Sequence, residues 1–262
     1  MSYYKIADLE QYFKHYKKSV REPRKFWSKI AEENFIWYQA WDKVFEFDMG
    51  KGDIKWFLNG KLNITKNCID RHLSKRGEKT AIIFEPNNPS EEPQHISYNE
   101  LYTRVSKTAN VLKSLGVKKG DRVCIYLPMI PELAVTMLAC ARIGAIHSVI
   151  FAGFSDAAIR SRVEDCGAKV IVTSDGGFRG EKTIKTKEVV DKAIEGLPSV
   201  EKVLVVKRTN EPIAFNDKMD VWFDELYETA EASNIAEIMD SEDPLFILYT
   251  SGSTGKPKGM VH

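Results

Sequence analysis

The 262-residue chain has few cysteines, almost no net charge, and no long uninterrupted apolar run. Its four cysteines, Cys68, Cys124, Cys140 and Cys166, lie far apart without a C-x-x-C pair. That spacing argues against a cysteine metal cluster or a disulfide framework, and Cys124 and Cys140 sit in apolar stretches as small buried hydrophobes do. A reduced, cytoplasmic protein is expected. The formal net charge of +1 supplies no global field to steer the chain toward nucleic acid or an anionic membrane. Basic residues gather only at Lys14, Lys17, Lys18, Arg21, Arg24 and Lys25, among acidic neighbours and in a helical pattern, which predicts a solvated helix face. The opening Met-Ser-Tyr-Tyr-Lys has no apolar core of a secretory signal. Leu133 to Phe154 comes nearest to a membrane span, but Arg142 and His147 interrupt it and Gly144 and Gly153 punctuate it. It reads as a helix followed by a strand, with no membrane anchor. Internal repeats and low-complexity tracts are absent as well.

What is present is an ordinary globular composition, 43% apolar and 29% charged, in a chain long enough to bury a large core. Residues 1–85 differ in texture from the rest. They hold Trp27, Trp37, Trp41 and Trp56, leaving only Trp222 for the remainder. Ile6, Leu9, Tyr12, Phe13 and Tyr16 recur at helical spacing, a second helical stretch follows Pro23, and irregular, aromatic-rich chain comes after. This segment is expected to be a helical wrap, with residues 86–262 forming a larger α/β unit.

From about residue 80 a strand and helix rhythm sets in. Ala81–Phe84 is a short apolar run. Ser97 and Glu100 form a capping-box pair opening a helix that ends at Gly116. Strands are expected at Arg122–Leu127, Ala145–Phe151, Lys169–Thr173, Val203–Val206 and Leu245–Tyr249. Helices are expected at Pro131–Ile143, Asp156–Cys166, Thr183–Glu195 and around Asp224–Ala232, two of them closed by Gly167 and Gly196. Continuous apolar strands alternating with helices predict a parallel sheet covered on both faces. His147, in a buried strand, and His72, in a polar run, lack an identifiable nucleophile partner and are expected to be structural. Asp70 and Arg71 are expected to form a local ion pair.

The most informative segment is Leu248-Tyr249-Thr250-Ser251-Gly252-Ser253-Thr254-Gly255-Lys256-Pro257-Lys258-Gly259. An apolar strand runs into a loop with three glycines, four small hydroxyls and two lysines. Glycines allow close backbone approach, successive amides form a concave anion site, and hydroxyls and lysines add donors and charge. Polyphosphate suits these parts. A Walker A loop is excluded because Thr250 stands where its first glycine belongs and Pro257 follows Gly255-Lys256. A dinucleotide fingerprint is excluded by Thr254 at its second glycine.

The Thr-Ser-Gly-Ser-Thr-Gly-Lys-Pro-Lys-Gly string resembles the phosphate-binding signature of the adenylate-forming superfamily of acyl-CoA ligases, adenylation domains and luciferases. Other stretches are similar to the AMP-forming acetyl-CoA synthetases in particular: Trp56 to Ile64, Asn67 to His72, Pro128 to Glu132 and His147 to Ser155. The resemblance covers all but the first fifty or so residues. It implies the N-terminal part of the large domain of such an enzyme, with Thr250, Ser251, Gly252, Ser253, Thr254, Gly255 and Lys256 on the ATP phosphates and Mg²⁺ as bridging ion. It also implies CoA contacts from Phe151, Ala152 and Gly153 and from Arg179, Gly180, Glu181 and Lys182. Arg179 and Lys182, at the expected start of a helix, would reach CoA phosphates. The family often has Gly at position 152 and Arg at 182; Ala152 and Lys182 here both bear on CoA affinity.

The implied reaction joins acetate, ATP and CoA through an acetyl-adenylate, with propionate as the alternative acyl substrate. The carboxylate pocket, the adenine and ribose contacts, the Mg²⁺ ligand, the hinge and the small C-terminal domain with its catalytic lysine are implied to come after residue 262. The chain is therefore expected to carry no catalytic residue of its own, to bind no metal, and to be inactive without that C-terminal part. A stand-alone CoA- or nucleotide-binding module is the alternative of a different class.

Overall fold

The computed structural model describes residues 6–180, 182–250 and 255–262. The chain divides into two compact units, residues 1–67 with 238–243, and residues 68–237 with 244–262.

In the first unit, α1 (Leu9–Arg21) starts at Asp8, whose carboxylate accepts from the Gln11 N–H at 2.7 Å, and α2 (Pro23–Asn34) starts on a proline that has no amide hydrogen to leave unbonded. None of the α1 residues is buried, in keeping with the solvated basic face read from the sequence. The chain after α2 is not irregular throughout: β1 (Lys43–Asp48) and β2 (Asp53–Leu58) form an antiparallel hairpin. Val44, Phe45 and Phe47 have strand-forming side chains, a signal that the surrounding tryptophans masked. A short strand β3 (Lys61–Leu62) pairs with a later one, β13 (Met239–Asp240). Within the Trp56–Ile64 stretch, Phe57 packs ring on ring with Trp37 and Trp41 at 4.8–5.4 Å between the three rings, and a Cβ on Gly60 would stand 2.7 Å from the Trp37 ring.

Helix α3 (Ile64–Cys68) runs across the division between the units. In the second unit α4 (Leu73–Arg76) leads into an antiparallel pair, β4 (Thr80–Phe84) and β5 (Gln94–Ser97). The change of unit falls near residue 68 rather than 85. The reason is packing: Ile69, Leu73, Ala81, Ile82 and Phe84 belong to the core beneath the next helix. That helix, α5 (Tyr98–Ser114), carries the capping box at Ser97 and Glu100, and Gly116 follows with φ +82°.

Then come β6 (Arg122–Tyr126), α6 (Pro131–Arg142), β7 (Ile146–Val149), α7 (Asp156–Cys166), β8 (Val170–Ser174), a hairpin of β9 (Gly177–Arg179) and β10 (Lys182–Ile184), α8 (Thr186–Ile194), β11 (Lys202–Val206), β12 (Asp220–Trp222) and α9 (Phe223–Thr229). After β13, β14 (Ile247–Thr250) and β15 (Lys258–Val261) make an antiparallel pair. The sheet is five-stranded and parallel, in the order β12-β11-β8-β6-β7, and Phe246 bridges to His147 beyond β7. Along β6 the side chains alternate. Val123, Ile125 and Leu127 enter one core with α5 and α6 residues such as Leu112 and Ala139. Cys124 and Tyr126 enter the other with Ile159, Val163 and Val190 of α7 and α8. Burial on both faces is why these strands read as unbroken apolar runs.

The expected helix over Thr183–Glu195 is corrected. Residues 182–184 are strand, and the helix begins only at Thr186. The Thr186 hydroxyl is buried and donates to the Ser174 carbonyl at 2.7 Å, which fixes the start of α8 against the end of β8. The residues before it are left to pair across the β9–β10 turn. Asp70 is held by Arg142, and no described helix is long and apolar enough to cross a membrane.

Candidate active site

A cavity of about 600 Å³ opens where β6, β7 and β8 end. The carboxyl edge of a parallel sheet, where loops from several strands converge, is where open α/β folds bind ligands. The turn after β7 forms one wall. Ile150 is buried, whereas Phe151 next to it is 66% exposed, so the chain passes from core to mouth within one residue. The Phe154 N–H donates to the Phe151 carbonyl at 3.0 Å, and the Tyr126 hydroxyl donates to the Phe154 carbonyl at 3.0 Å. Burial raises the Tyr126 phenol's pKa, so it stays a donor. A Cβ on Gly153 would meet the Phe151 ring at 2.6 Å, so a larger residue here would push that exposed ring aside.

The opposite wall is the β9–β10 hairpin with the loop after β11. Arg179 pairs with Lys182 across the hairpin, whose turn includes Gly180 at φ +60°. Asn87 reaches the Gly180 carbonyl at 3.4 Å. The Arg208 guanidinium lies 5.1 Å from the centre of the Phe178 ring and bonds Glu91 at 3.4 Å. Behind it the Asp175 carboxylate accepts backbone N–H groups from Gly176 (2.7 Å), Arg208 (2.8 Å), Thr209 (3.0 Å) and Asn210 (2.6 Å). This buried side chain sets the loop's backbone, and Gly176 is needed because a Cβ there would meet Thr209 Oγ1 at 2.7 Å.

Of the residues the sequence singled out for CoA, Phe151, Ala152, Gly153 and Arg179 line this one cavity. Gly180 and Lys182 stand in the hairpin beside it without lining it, and Glu181 lies outside the described residues. Arg179 and Lys182 are therefore cross-strand neighbours, not two positions on a helix start. Sequence reasoning missed Arg208, Met129, Phe178 and Asp175. The run Ser174-Asp175-Gly176-Gly177 straight after an apolar strand was the available signal for Asp175, since an acid before two glycines at a strand end marks a turn held by side-chain oxygens.

Of the residues expected on the ATP phosphates, three are described: Thr250, Gly255 and Lys256. Thr250 ends β14, opposite Lys258 of β15. Gly255 has φ +84°, Lys256 is exposed, and Ser251, Gly252, Ser253 and Thr254 lie outside the described residues. Leu248, two residues before Thr250, lines the cavity. Tyr249 is tied down from outside the hairpin: its hydroxyl donates to Asp165 Oδ2 at 2.7 Å, and burial raises its pKa. Within β7, burial pushes the His147 imidazole down to about 4, its Nδ1 has no hydrogen-bond partner, and its ring packs 5.6 Å from that of Phe246. His147 is thus a neutral core residue. Among the described residues no group of three His, Cys, Asp or Glu side chains is placed to hold a metal ion.

A parallel sheet covered on both faces, with a cavity at its carboxyl edge, defines an α/β protein of the open-sheet class, in which ligands bind where the strands end. Residues 69–262 match the family described as AMP-binding enzyme, and residues 12–68 match the acetyl-coenzyme A synthetase N-terminus, a division that falls where the two compact units part. This chain belongs to the AMP-binding enzymes. It is 54% identical over 255 residues to an acetyl-coenzyme A synthetase of Halorhodospira halophila, covering 97% of this chain and 39% of that protein. It is 52% identical over 257 residues to one of Magnetococcus marinus, covering 98% and 40%. Among solved structures, acetoacetyl-CoA synthetase from Streptomyces lividans aligns with a TM-score of 0.85 at 27% identity, covering 94% of this chain and 37% of that one. The chain spans about two fifths of the length of the curated relatives it matches.

Proposed function

We propose that this chain is the N-terminal part of an AMP-forming acyl-CoA ligase that uses acetate. The observation that carries the reading is the cavity in which Phe151, Ala152, Gly153 and Arg179 meet, with Leu248 of β14 also in its lining. In the first step an acetate oxygen attacks the α-phosphorus of ATP, giving acetyl-adenylate and pyrophosphate. Thr250, Gly255 and Lys256, with the four residues between, would hold the β- and γ-phosphates through amides, hydroxyls and one ammonium. In the second step the CoA thiolate attacks the acetyl carbonyl carbon and AMP leaves. Arg179 would pair a CoA phosphate, and the exposed face of Phe151 would cover its nucleoside. Residues 1–67 are, in this reading, the N-terminal segment typical of acetyl-CoA synthetases. Mg²⁺ would enter with ATP as its counter-ion. The wide spacing of the four cysteines in the sequence supports a reduced cytoplasmic setting.

The test is acetate-dependent exchange of pyrophosphate into ATP, with CoA omitted, for the 262-residue chain and for the protein carried to the length of its relatives. Exchange is expected from the longer protein only, and faster with acetate than with propionate. Exchange by the 262-residue chain would overturn the assignment of carboxylate and ribose contacts to later residues. Silence of the longer protein with both acids would overturn the ligase reading.

A further inference from the structure

The sulfur atoms of Cys124 and Cys166 lie 3.7 Å apart although the two residues are 42 positions distant. Cys124 sits mid-strand in β6, and Cys166 is the last residue of α7. The two backbones are held at this spacing by another residue. Arg122, two positions before Cys124, donates from Nε to the Cys166 carbonyl at 2.8 Å and from Nη2 to the Gly167 carbonyl at 2.9 Å. Gly167 itself is left-handed, with φ +59°, and returns the chain toward β8. A disulfide needs a sulfur separation of about 2.05 Å, so roughly 1.7 Å of closure is required, within the reach of side-chain rotation with a small shift of the helix end.

We propose that Cys124 and Cys166 are a reversible dithiol–disulfide pair, oxidised by small organic disulfides. The pair divides the labour by exposure: Cys166 is partly exposed, and Cys124 is fully buried. The Cys166 thiolate attacks one sulfur of the small disulfide, forming a mixed disulfide and expelling one small thiolate. Cys124 then attacks the Cys166 sulfur. A Cys124–Cys166 bond forms, the mixed disulfide breaks, and the proton of Cys124 leaves with the second small thiol. Two cysteine thiols are oxidised and one small disulfide is reduced to two thiols, so atoms and electrons balance.

The polar surroundings favour that order. The hydrogen bond from Cys124, then the Ala168 amide and the Arg122 charge, hold the Cys166 thiol below its usual range, whereas the same sulfur contact and burial push Cys124 up. Cys140 points into the opposite core, with α5 and α6 residues, and does not compete. The pair also touches the hairpin base. Asp165, next to Cys166, is the acceptor for Tyr249, which immediately precedes Thr250. Closing the sulfurs therefore pulls on the turn of α7 that anchors β14.

The experiment is to incubate the native wild-type protein with excess oxidised glutathione, quench in acid, unfold, alkylate the remaining thiols, and map peptides by mass spectrometry. Expected are a protein lighter by two hydrogens, a linked peptide pair containing Cys124 and Cys166, and alkylation of two of the four cysteines, Cys68 and Cys140. Dithiothreitol should restore all four. In Cys124→Ser the reaction should stop at a glutathione adduct on Cys166. A stable adduct on Cys166 of the wild-type protein, linkage of any other pair, or four alkylated thiols after oxidation would each overturn the proposal.

Discussion

Arg142 grips Asp70 with two prongs, Nη1 to Oδ2 at 2.8 Å and Nη2 to Oδ1 at 3.0 Å, while its own side chain is only 2% exposed. The pair joins the end of α6 to the 3₁₀ turn before α4, and Arg142 Nε also donates to the Asn234 carbonyl at 2.9 Å. Removing one partner of a buried pair costs more than the pair contributes, because the desolvated charge remains. Asp70→Ala is expected to lower unfolding stability by about 3 kcal/mol. Asp70→Asn, which keeps an oxygen acceptor, should cost clearly less. Urea midpoints for the three proteins decide it, and equal losses for the two variants would contradict the argument.

Lys187 presents a second buried charge, bonded to Asp191 at 2.6 Å and to Asp220 at 2.8 Å, with Lys187 and Asp220 each 2% exposed. Lys187→Met should destabilise by about 3–5 kcal/mol, since Asp220 is left charged inside the protein. The double variant Lys187→Met with Asp220→Asn should recover part of that loss. A double-mutant cycle in urea measures the coupling, and simple additivity of the two changes would argue against it.

His147 gives a pH dependence whose sign follows from its burial. The folded imidazole titrates at about 4, the unfolded one near 6.5. Between those values the unfolded chain binds the extra proton, so stability is full above pH 6.5 and falls as pH drops toward 4. The loss amounts to about 3 kcal/mol at the lower end. His147→Gln should flatten this part of the stability–pH curve. A wild-type curve level between pH 7 and 4.5 would show that the ring titrates normally.

Arg179 should matter to CoA through charge. In the protein carried to the length of its relatives, Arg179→Ala is expected to weaken CoA about tenfold, near 1.4 kcal/mol, with the ATP–pyrophosphate exchange unchanged. Titration with CoA and with 3′-dephospho-CoA separates the phosphates. Weakening of CoA alone would assign the contact to the 3′-phosphate, equal weakening of the two would assign it to the pyrophosphate, and unchanged CoA binding would contradict the contact.

The parts of the fold that could be read from sequence are those fixed by neighbours within one turn. Ser97 with Glu100, Gly116 and Gly167 announce helix ends because capping needs particular residues at particular spacings. The apolar strands announced the parallel sheet because both faces are covered. Thr183–Glu195 misled, since Lys182–Ile184 fits a helical period equally well, and only the distant Ser174 carbonyl decides where α8 begins. β15 was missed for a similar reason: Lys258-Gly-Met-Val has little strand character until β14 lies beside it. At the cavity, Phe151 and Arg179 were singled out through resemblance to a family, and both line it. Arg208 was not, because its position depends on Asp175, 33 residues earlier.

Asp175 has a further consequence. Its carboxylate satisfies four amides belonging to two loops, one after β8 and one after β11, so those loops keep a common shape that owes nothing to the outward side chains. Side chains such as Arg208 are then interchangeable letters on a fixed line. Descendants of this sequence could rewrite what the rim recognises, residue by residue, while a change at the single hidden acid would erase the line itself.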